Sequence, residues 1–300
     1  MGRRFYTLDV FTDEALSGNP LAVVLDSDGL DEAAMQTIAT EFNLSETVFV
    51  FPPDNAENRA RIKIYTPVHE LPFAGHPTVG TAFLLSHLDG LSDGAELVLE
   101  EVVGPVTCAI TDENGKRKIR FELPKTSERI DWSVGADKLA EAIGLGPNDI
   151  GLDDHEVSIW DGGVPYMLVP LASMSAVQKI EINSVLLKEI EPVINGIHAN
   201  IYAYCRGGES ADAAYHARMF APFQGIPEDP ATGSAVASFS GQIAQFDMKD
   251  TDTGKFLIEQ GYEMGRPSQI VLDLTKENGN TTAAGISGGA VIVSKGELLF

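Results

Sequence analysis

The sequence predicts a mixed α/β, strand-rich protein of two similar domains, each a curled, mostly antiparallel sheet around one central helix. Three observations lead there. A motif at residue 76 returns 153 residues later. Strand-like stretches around the two copies recur in the same order. The segment that follows each copy is apolar on most sides.

The motif stands in ELPFAGHPTVGTA (70–82) and again in EDPATGSAVASF from Glu228. Laid on each other, His76-Pro-Thr-Val-Gly-Thr-Ala matches Asp229-Pro-Ala-Thr-Gly-Ser-Ala, so that His76 falls on Asp229. Upstream, KIYTP (63–67) resembles RMFAP (218–222), and GNPLAVVL from Gly18 resembles GVPYMLVP from Gly163. Three collinear matches point to duplication. Helix patterns lie between them. DEAAMQTIATEF puts Met35, Ile38, Ala39 and Phe42 on one face behind Asp31, a suitable N-cap, and INSVLLKEIEPVI has Asn183 or Ser184 as its cap. Each half therefore reads strand, Gly-x-Pro turn, strand, helix, two strands, loop, helix and further strands. The expected division is 1–126 and 127–300, with the terminal strand able to return to the first domain.

Proline favours the first turn of a helix, so Pro77 and Pro230 mark helix starts. His76 and Asp229 are then expected at the N-caps, where aspartate is preferred and histidine is not. In VGTAFLLSHL the residues Val79, Ala82, Phe83, Leu84, Leu85 and Leu88 cover more than one face. A helix apolar all round is buried. Its start offers unpaired N–H groups and the positive end of the macrodipole, a place for a carboxylate or phosphate. Gly75, Gly80 and Gly233 let a ligand approach the backbone. If the halves pack about a pseudo-twofold axis, both starts face one cleft that holds a small anionic molecule between a histidine and an aspartate. Glu46, in NLSETVFV, shares a strand face with Val48 and Val50. Burial there would raise its pKa and suit it to shuttle a proton. Structural alternatives remain at this point: an aspartate at an N-cap needs no catalytic role, and Glu46 could turn to solvent at a strand end.

Composition narrows the function classes. Of 300 residues 44% are hydrophobic, and 44 acidic against 21 basic residues leave a net charge of −23. That disfavours nucleic acid, which needs basic patches, and anionic membrane surfaces. No stretch approaches the ~20 apolar residues of a membrane helix. The start, MGRRFYTLDVF, has Tyr6 where a myristoylation signal needs Ser or Thr, and Asp9 interrupts any apolar run after Arg3-Arg4. It alternates as a strand does, and a complete cytoplasmic protein is expected. Cys108 and Cys205 sit in apolar strand patterns and are expected as buried thiols. HELPFAGH lacks the four-residue His spacing of zinc proteases. GISGG precedes a strand, which excludes a nucleophile elbow. GLGPNDIG lacks dinucleotide-motif spacing and ends the helix of ADKLAEAI, and no P-loop occurs.

Together, FTDEALSGNPLAVV, LSETVFV, TPVHELPFAGHPTVGTA, EDPATGSA and EMGRPS resemble the phenazine-biosynthesis PhzF-like family over nearly the whole chain. The resemblance implies a fold similar to diaminopimelate epimerase, with the active site between two pseudo-symmetric domains. It implies an isomerase like the family's best-known member, which acts on trans-2,3-dihydro-3-hydroxyanthranilate without metal or organic cofactor, and it implies a homodimer. Glu46 matches that member's acid/base glutamate. His76 and Asp229 match its active-site histidine and aspartate, and Gly75, Gly233 and Ser234 match its substrate-contacting residues. The epimerases use cysteines at the two helix starts; here Cys108 and Cys205 lie elsewhere. The expectation is a cofactor-independent isomerase that moves a proton on a small carboxylated, unsaturated substrate. Two rivals are an epimerase or racemase with Glu46 and Asp229 as opposed bases, and a ligand-binding or scaffold protein without turnover.

Overall fold

The structure is a computed structural model that describes residues 2–278 and 280–300; Met1, in the amino-terminal motif, lies outside the described residues. The chain divides into two compact units, residues 1–124 with 266–268 and 287–300, and residues 125–265 with 269–286.

In the first unit, β1 (Arg3–Val10) and β2 (Asn19–Val24), the latter a continuous buried apolar run from Leu21 to Val24, pair antiparallel. The helix α1 (Glu32–Phe42) then carries the chain to β3 (Glu46–Phe51), parallel to β2. Asp31 caps α1 by accepting from the Ala34 N–H at 2.8 Å. Asn43 ends it in a left-handed conformation, which asparagine tolerates. Antiparallel to β3 runs β4 (Ala60–Tyr65), which also takes the short β5 (Glu70–Leu71). After α2 (Gly75–Leu88) comes β6 (Glu96–Glu101), parallel to β4, then β7 (Gly104–Glu113) and β8 (Lys116–Glu122), each antiparallel to the strand before. The helix α2 touches β1, β2, β3, β6, β7 and β8, and all but three of its residues are buried. It fills the curl of the sheet. The other face of β3 packs Phe49 and Phe51 against Met35, Ile38 and Ala39 of α1.

The second unit opens with β9 (Glu128–Ile130) and α3 (Ala136–Ala142) and then repeats the pattern. Antiparallel β10 (Ser158–Asp161) and β11 (Pro165–Pro170) lead through α4 (Met174–Gln178), α5 (Ser184–Ile190) and a small hairpin, β12 (Val193–Ile194) and β13 (Ile197–His198), to β14 (Asn200–Arg206), parallel to β11. Antiparallel to β14 is β15 (Ala213–Ala221), which takes the short β16 (Ile226–Asp229). After α6 (Gly233–Phe246) comes β17 (Thr253–Gln260), parallel to β15, then β18 (Ser268–Glu277) and β19 (Asn280–Gly288). Phe239 of α6 meets the rings of Tyr202, Tyr204 and Tyr215. Ile201, Ala203 and Cys205, on the opposite face of β14, pack with Leu139, Val177 and Leu187 of the outer helices. The last strand, β20 (Ala290–Leu298), pairs antiparallel with β1 in the first unit.

The repeat is thus visible in strand direction as well as sequence, but the helix starts correct the overlay. Residue Gly75 opens α2 and Gly233 opens α6, each as the first residue of a 14-residue helix. The structural match is Glu70-Leu-Pro-Phe-Ala-Gly-His on Glu228-Asp-Pro-Ala-Thr-Gly-Ser. So His76 corresponds to Ser234, and Asp229 to Leu71. His76 is the second residue of its helix rather than the N-cap, which is Ala74. Asp229 ends β16, and Thr232 is the N-cap of α6. The reason lies in pairing: Asp229 is held in register with Met219 of β15, so the helix cannot begin until the chain has left that strand. A repeated ion pair supports the new alignment. Lys63 of β4 reaches Glu70 at 3.4 Å, and Arg218 of β15 reaches Glu228 at 2.8 Å.

Two glycines set how closely the central helices approach their sheets. A Cβ on Gly80 would lie 2.6 Å from Leu21 and 2.7 Å from Val10. A Cβ on Gly162 would lie 2.7–2.8 Å from backbone atoms of Ala237 and Ser238 in α6. Side chains can shift slightly and helix backbone much less. Denaturant unfolding should show Gly80→Ala less stable by about 1–3 kcal/mol, and Gly162→Ala at or beyond the upper end of that range.

Candidate active site

In the first unit the first residue of β3 and the first turn of α2 meet. Glu46 is 9% exposed and His76 4%. Nε2 of His76 lies 3.2 Å from a carboxylate oxygen of Glu46. The period of the strand explains the placement. Thr47, Phe49 and Phe51 point away from Glu46, and Phe49 and Phe51 meet α1, which leaves Glu46, Val48 and Val50 on the α2 side. On the far side of the ring, Nδ2 of Asn19 lies 3.3 Å from Nδ1 of His76. The amide nitrogen is a donor, so Nδ1 accepts and the ring proton sits on Nε2, the nitrogen nearer Glu46. Burial pushes the imidazole down to about 3, which keeps it neutral. The nearby carboxylate pulls the other way, but a donor on Nδ1 leaves no acceptor for a second ring proton.

Asn19 is itself held by a clamp. Asp9 accepts from the Leu16 N–H at 2.6 Å and from Arg266 at 2.5 Å. Arg266 also donates to the Gly18 carbonyl at 3.0 Å. The Leu16 and Gly18 backbones are both left-handed, and the clamp holds that turn. The sequence reading marked Gly18-Asn19-Pro20 only as a turn and missed the contact of Asn19 with His76. Beneath α2, Thr78 bonds the Ala74 carbonyl at 2.8 Å and Glu101 at 2.7 Å. Burial raises the Glu101 carboxyl to about 8 against the opposing effect of that hydrogen bond.

In the second unit Asp229, 5% exposed, accepts from the Thr232 hydroxyl at 2.6 Å. Gln260, at the end of β17, donates to the Asp229 carbonyl at 2.7 Å and to the Thr232 hydroxyl at 2.9 Å, and accepts from the Thr232 N–H at 3.2 Å. Ser234, second in α6, bonds the Tyr166 hydroxyl at 2.9 Å. Neither α2 nor α6 carries a side-chain cap. An uncapped helix start is suited to an anion, and Gly75 and Gly233 stand first in each. Thr232, Gln260 and Tyr166 gave no signal in the sequence, because their roles depend on strand pairing across long separations.

The geometry thus brings Glu46 to His76, which follows Gly75 in α2, in one unit, and Asp229 to Thr232, the residue just before Gly233 and Ser234 in α6, in the other. The thiols are no part of either group. Both are buried, and burial raises both, Cys205 to about 11. Among the described residues no cluster of three or more His, Cys, Asp or Glu side chains is arranged to hold a metal ion. Among the described residues no helix is long and apolar enough to cross a membrane.

Residues 8–296 match the family model for phenazine biosynthesis-like proteins. The chain belongs to this family. An uncharacterized isomerase of Mesorhizobium japonicum is 46% identical over 297 residues, covering 99% of this chain and 98% of that protein. The trans-2,3-dihydro-3-hydroxyanthranilate isomerase of Pseudomonas aeruginosa is 32% identical over 297 residues, covering 98% of both chains. A PhzF-family phenazine biosynthesis protein of Bacillus anthracis shares 29% identity and, with 100% of both chains covered, superposes with a TM-score of 0.89. The protein is thus a PhzF-family isomerase with the mixed α/β, epimerase-like fold its sequence predicts.

Two titrations check this environment. His76 is neutral when folded, with its pKa depressed below the unfolded value of about 6.5. The unfolded chain therefore binds the extra proton, and stability present above about pH 6.5 is lost as pH falls toward 3. Relative to His76→Gln, the wild type should lose about 1.4 kcal/mol per pH unit in that window in denaturant titrations. The sign is opposite for Glu101, whose folded pKa is raised. Its stabilising contribution is present at low pH and lost as pH rises toward 8. Glu101→Gln should therefore raise stability by about 3–4 kcal/mol at pH 7–8, with little gain near pH 4.

Proposed function

We propose that this PhzF-family isomerase moves a proton along a small carboxylated, unsaturated ring of the trans-2,3-dihydro-3-hydroxyanthranilate type, without a cofactor. The observation that carries the reading is the buried contact of Glu46 with a neutral His76 at an uncapped helix start. As a base, Glu46 removes a proton from a carbon next to the unsaturation. The electron pair moves into the conjugated system, and the same carboxyl returns the proton at the other end. Atoms and electrons balance with no oxidant or reductant.

Each other residue has a role matched to its chemistry. His76 presents Nε2–H to the developing charge and to Glu46. Asp229, steadied by Thr232 and Gln260, assists protonation. Ser234 and the N–H groups at Gly233 and Gly75 hold the carboxylate, so the reacting carbon is presented to the base rather than left to diffuse. We further read the halves 1–126 and 127–300 as products of a duplication, and the protein as a cytoplasmic homodimer.

The reading is tested by incubating the protein with trans-2,3-dihydro-3-hydroxyanthranilate in heavy water and following it by NMR. Isomerisation with deuterium uptake is expected. Glu46→Gln should lower the rate by about 10²–10⁴-fold, the usual worth of a positioned acid/base. Retention of most activity by that variant would refute the shuttle.

A further inference from the structure

The duplicated framework assigns every position of the first unit's site a counterpart in the second. Glu46 opens β3 and lies in register with Leu21 of the parallel strand β2. Asn200 opens β14 and lies in register with Tyr166 of the parallel strand β11. Leu21 and Tyr166 each stand three residues after the glycine of the repeated Gly-x-Pro turn. Asn200 is therefore the second unit's counterpart of Glu46, as Ser234 is that of His76.

Its surroundings are the same in kind. Ile201, Ala203 and Cys205 turn to the outer helices. Asn200 thus shares the α6 side with Tyr202, whose ring meets Phe239. On the neighbouring strand Tyr166 reaches over that same side to Ser234 in the first turn of α6. Asn200 is 1% exposed, and its side-chain oxygen has no hydrogen-bond partner among the described residues. Two residues on, the buried Tyr202 hydroxyl has none either. A buried amide oxygen without a donor is costly, and an apolar residue would pack there without that cost. A waiting acceptor beside a helix start is what a ligand with its own donors requires.

The geometry points to Asn200 as a substrate-binding residue, whose side-chain oxygen accepts a hydrogen bond from an amino or hydroxyl group on the substrate ring while Ser234 and the start of α6 take its carboxylate. This rests on the proton-shift reading above for the kind of substrate, and it makes the second unit the selector for ring substituents. Where the first unit has a group that titrates, the second has an amide that does not, so Asn200 selects without competing for the proton.

The test compares two probes by calorimetric titration: 3-hydroxyanthranilate, which carries a carboxylate, an amine and a hydroxyl, and benzoate, which carries the carboxylate alone. Wild type, Asn200→Val and Asn200→Thr are used, the last two being alike in shape but different in having a hydroxyl acceptor. Asn200→Val should melt no lower than wild type. It should bind 3-hydroxyanthranilate at least tenfold more weakly, about 1.4 kcal/mol, with benzoate affinity unchanged. Asn200→Thr should recover part of the loss. Equal affinity of wild type and Asn200→Val for 3-hydroxyanthranilate, or equal losses for both probes, overturns the assignment. So does a wild type that binds neither. Because binding needs no turnover, these outcomes are separate from the shuttle test. An active Glu46→Gln enzyme would remove the shuttle while the probe difference still decides Asn200.

Discussion

Each unit depends on a helix buried on nearly all sides whose first turn lacks a side-chain cap. An all-round apolar helix cannot lie on a sheet, because half its surface would stay wet; strands must curl around it. Enclosure then creates a polar problem at the start of the helix. Several N–H groups and the positive end of the dipole face a place where few protein acceptors reach. The candidate site is built on that unanswered end.

The first unit answers it with titratable groups under control. Glu46 and His76 are delivered by a strand and a helix whose packing leaves them little freedom, and Asn19 fixes which ring nitrogen carries the proton. That asparagine is itself held through Asp9 and Arg266, some 250 residues away in the chain. Such supporting contacts hold a site in one geometry, and the long-range clamp shows why the motif EMGRPS belongs with FTDEALSGNP. The second unit answers with mostly neutral hydrogen-bonding groups, Thr232 and Gln260 on Asp229 and the pair Ser234 and Tyr166. The two helix starts are equivalent in position, Gly75 and Gly233 each standing first, and the residues around them differ.

Much of this was legible in the sequence for definite reasons. Periodicity marked α1 and its Asp31 cap, because capping and amphipathicity are local. The all-round apolar character of the segment after His76 marked a buried helix, and the Gly-x-Pro repeats marked the matching strands. The alternation in SETVFV placed Glu46 on the face of Val48 and Val50. The overlay of His76 on Asp229 was less secure. It matched Pro, Gly and Ala by identity, whereas the helices start at Gly75 and Gly233, and Glu70-x-Pro matches Glu228-x-Pro.

The sequence by itself determined the elements, the repeat of motifs, the family and the residue types available for proton transfer, because these depend on local pattern and on motifs read along the chain. Only the tertiary structure decided which residues answer which. Strand register set Asp229 at the end of β16 rather than on α6, and it made Asn200 the counterpart of Glu46. Burial decided that His76 is neutral, and a contact from a distant turn decided its tautomer. Register, burial and long-range contact are properties of the folded chain: each depends on what lies across the sheet, and no spacing along the sequence specifies it.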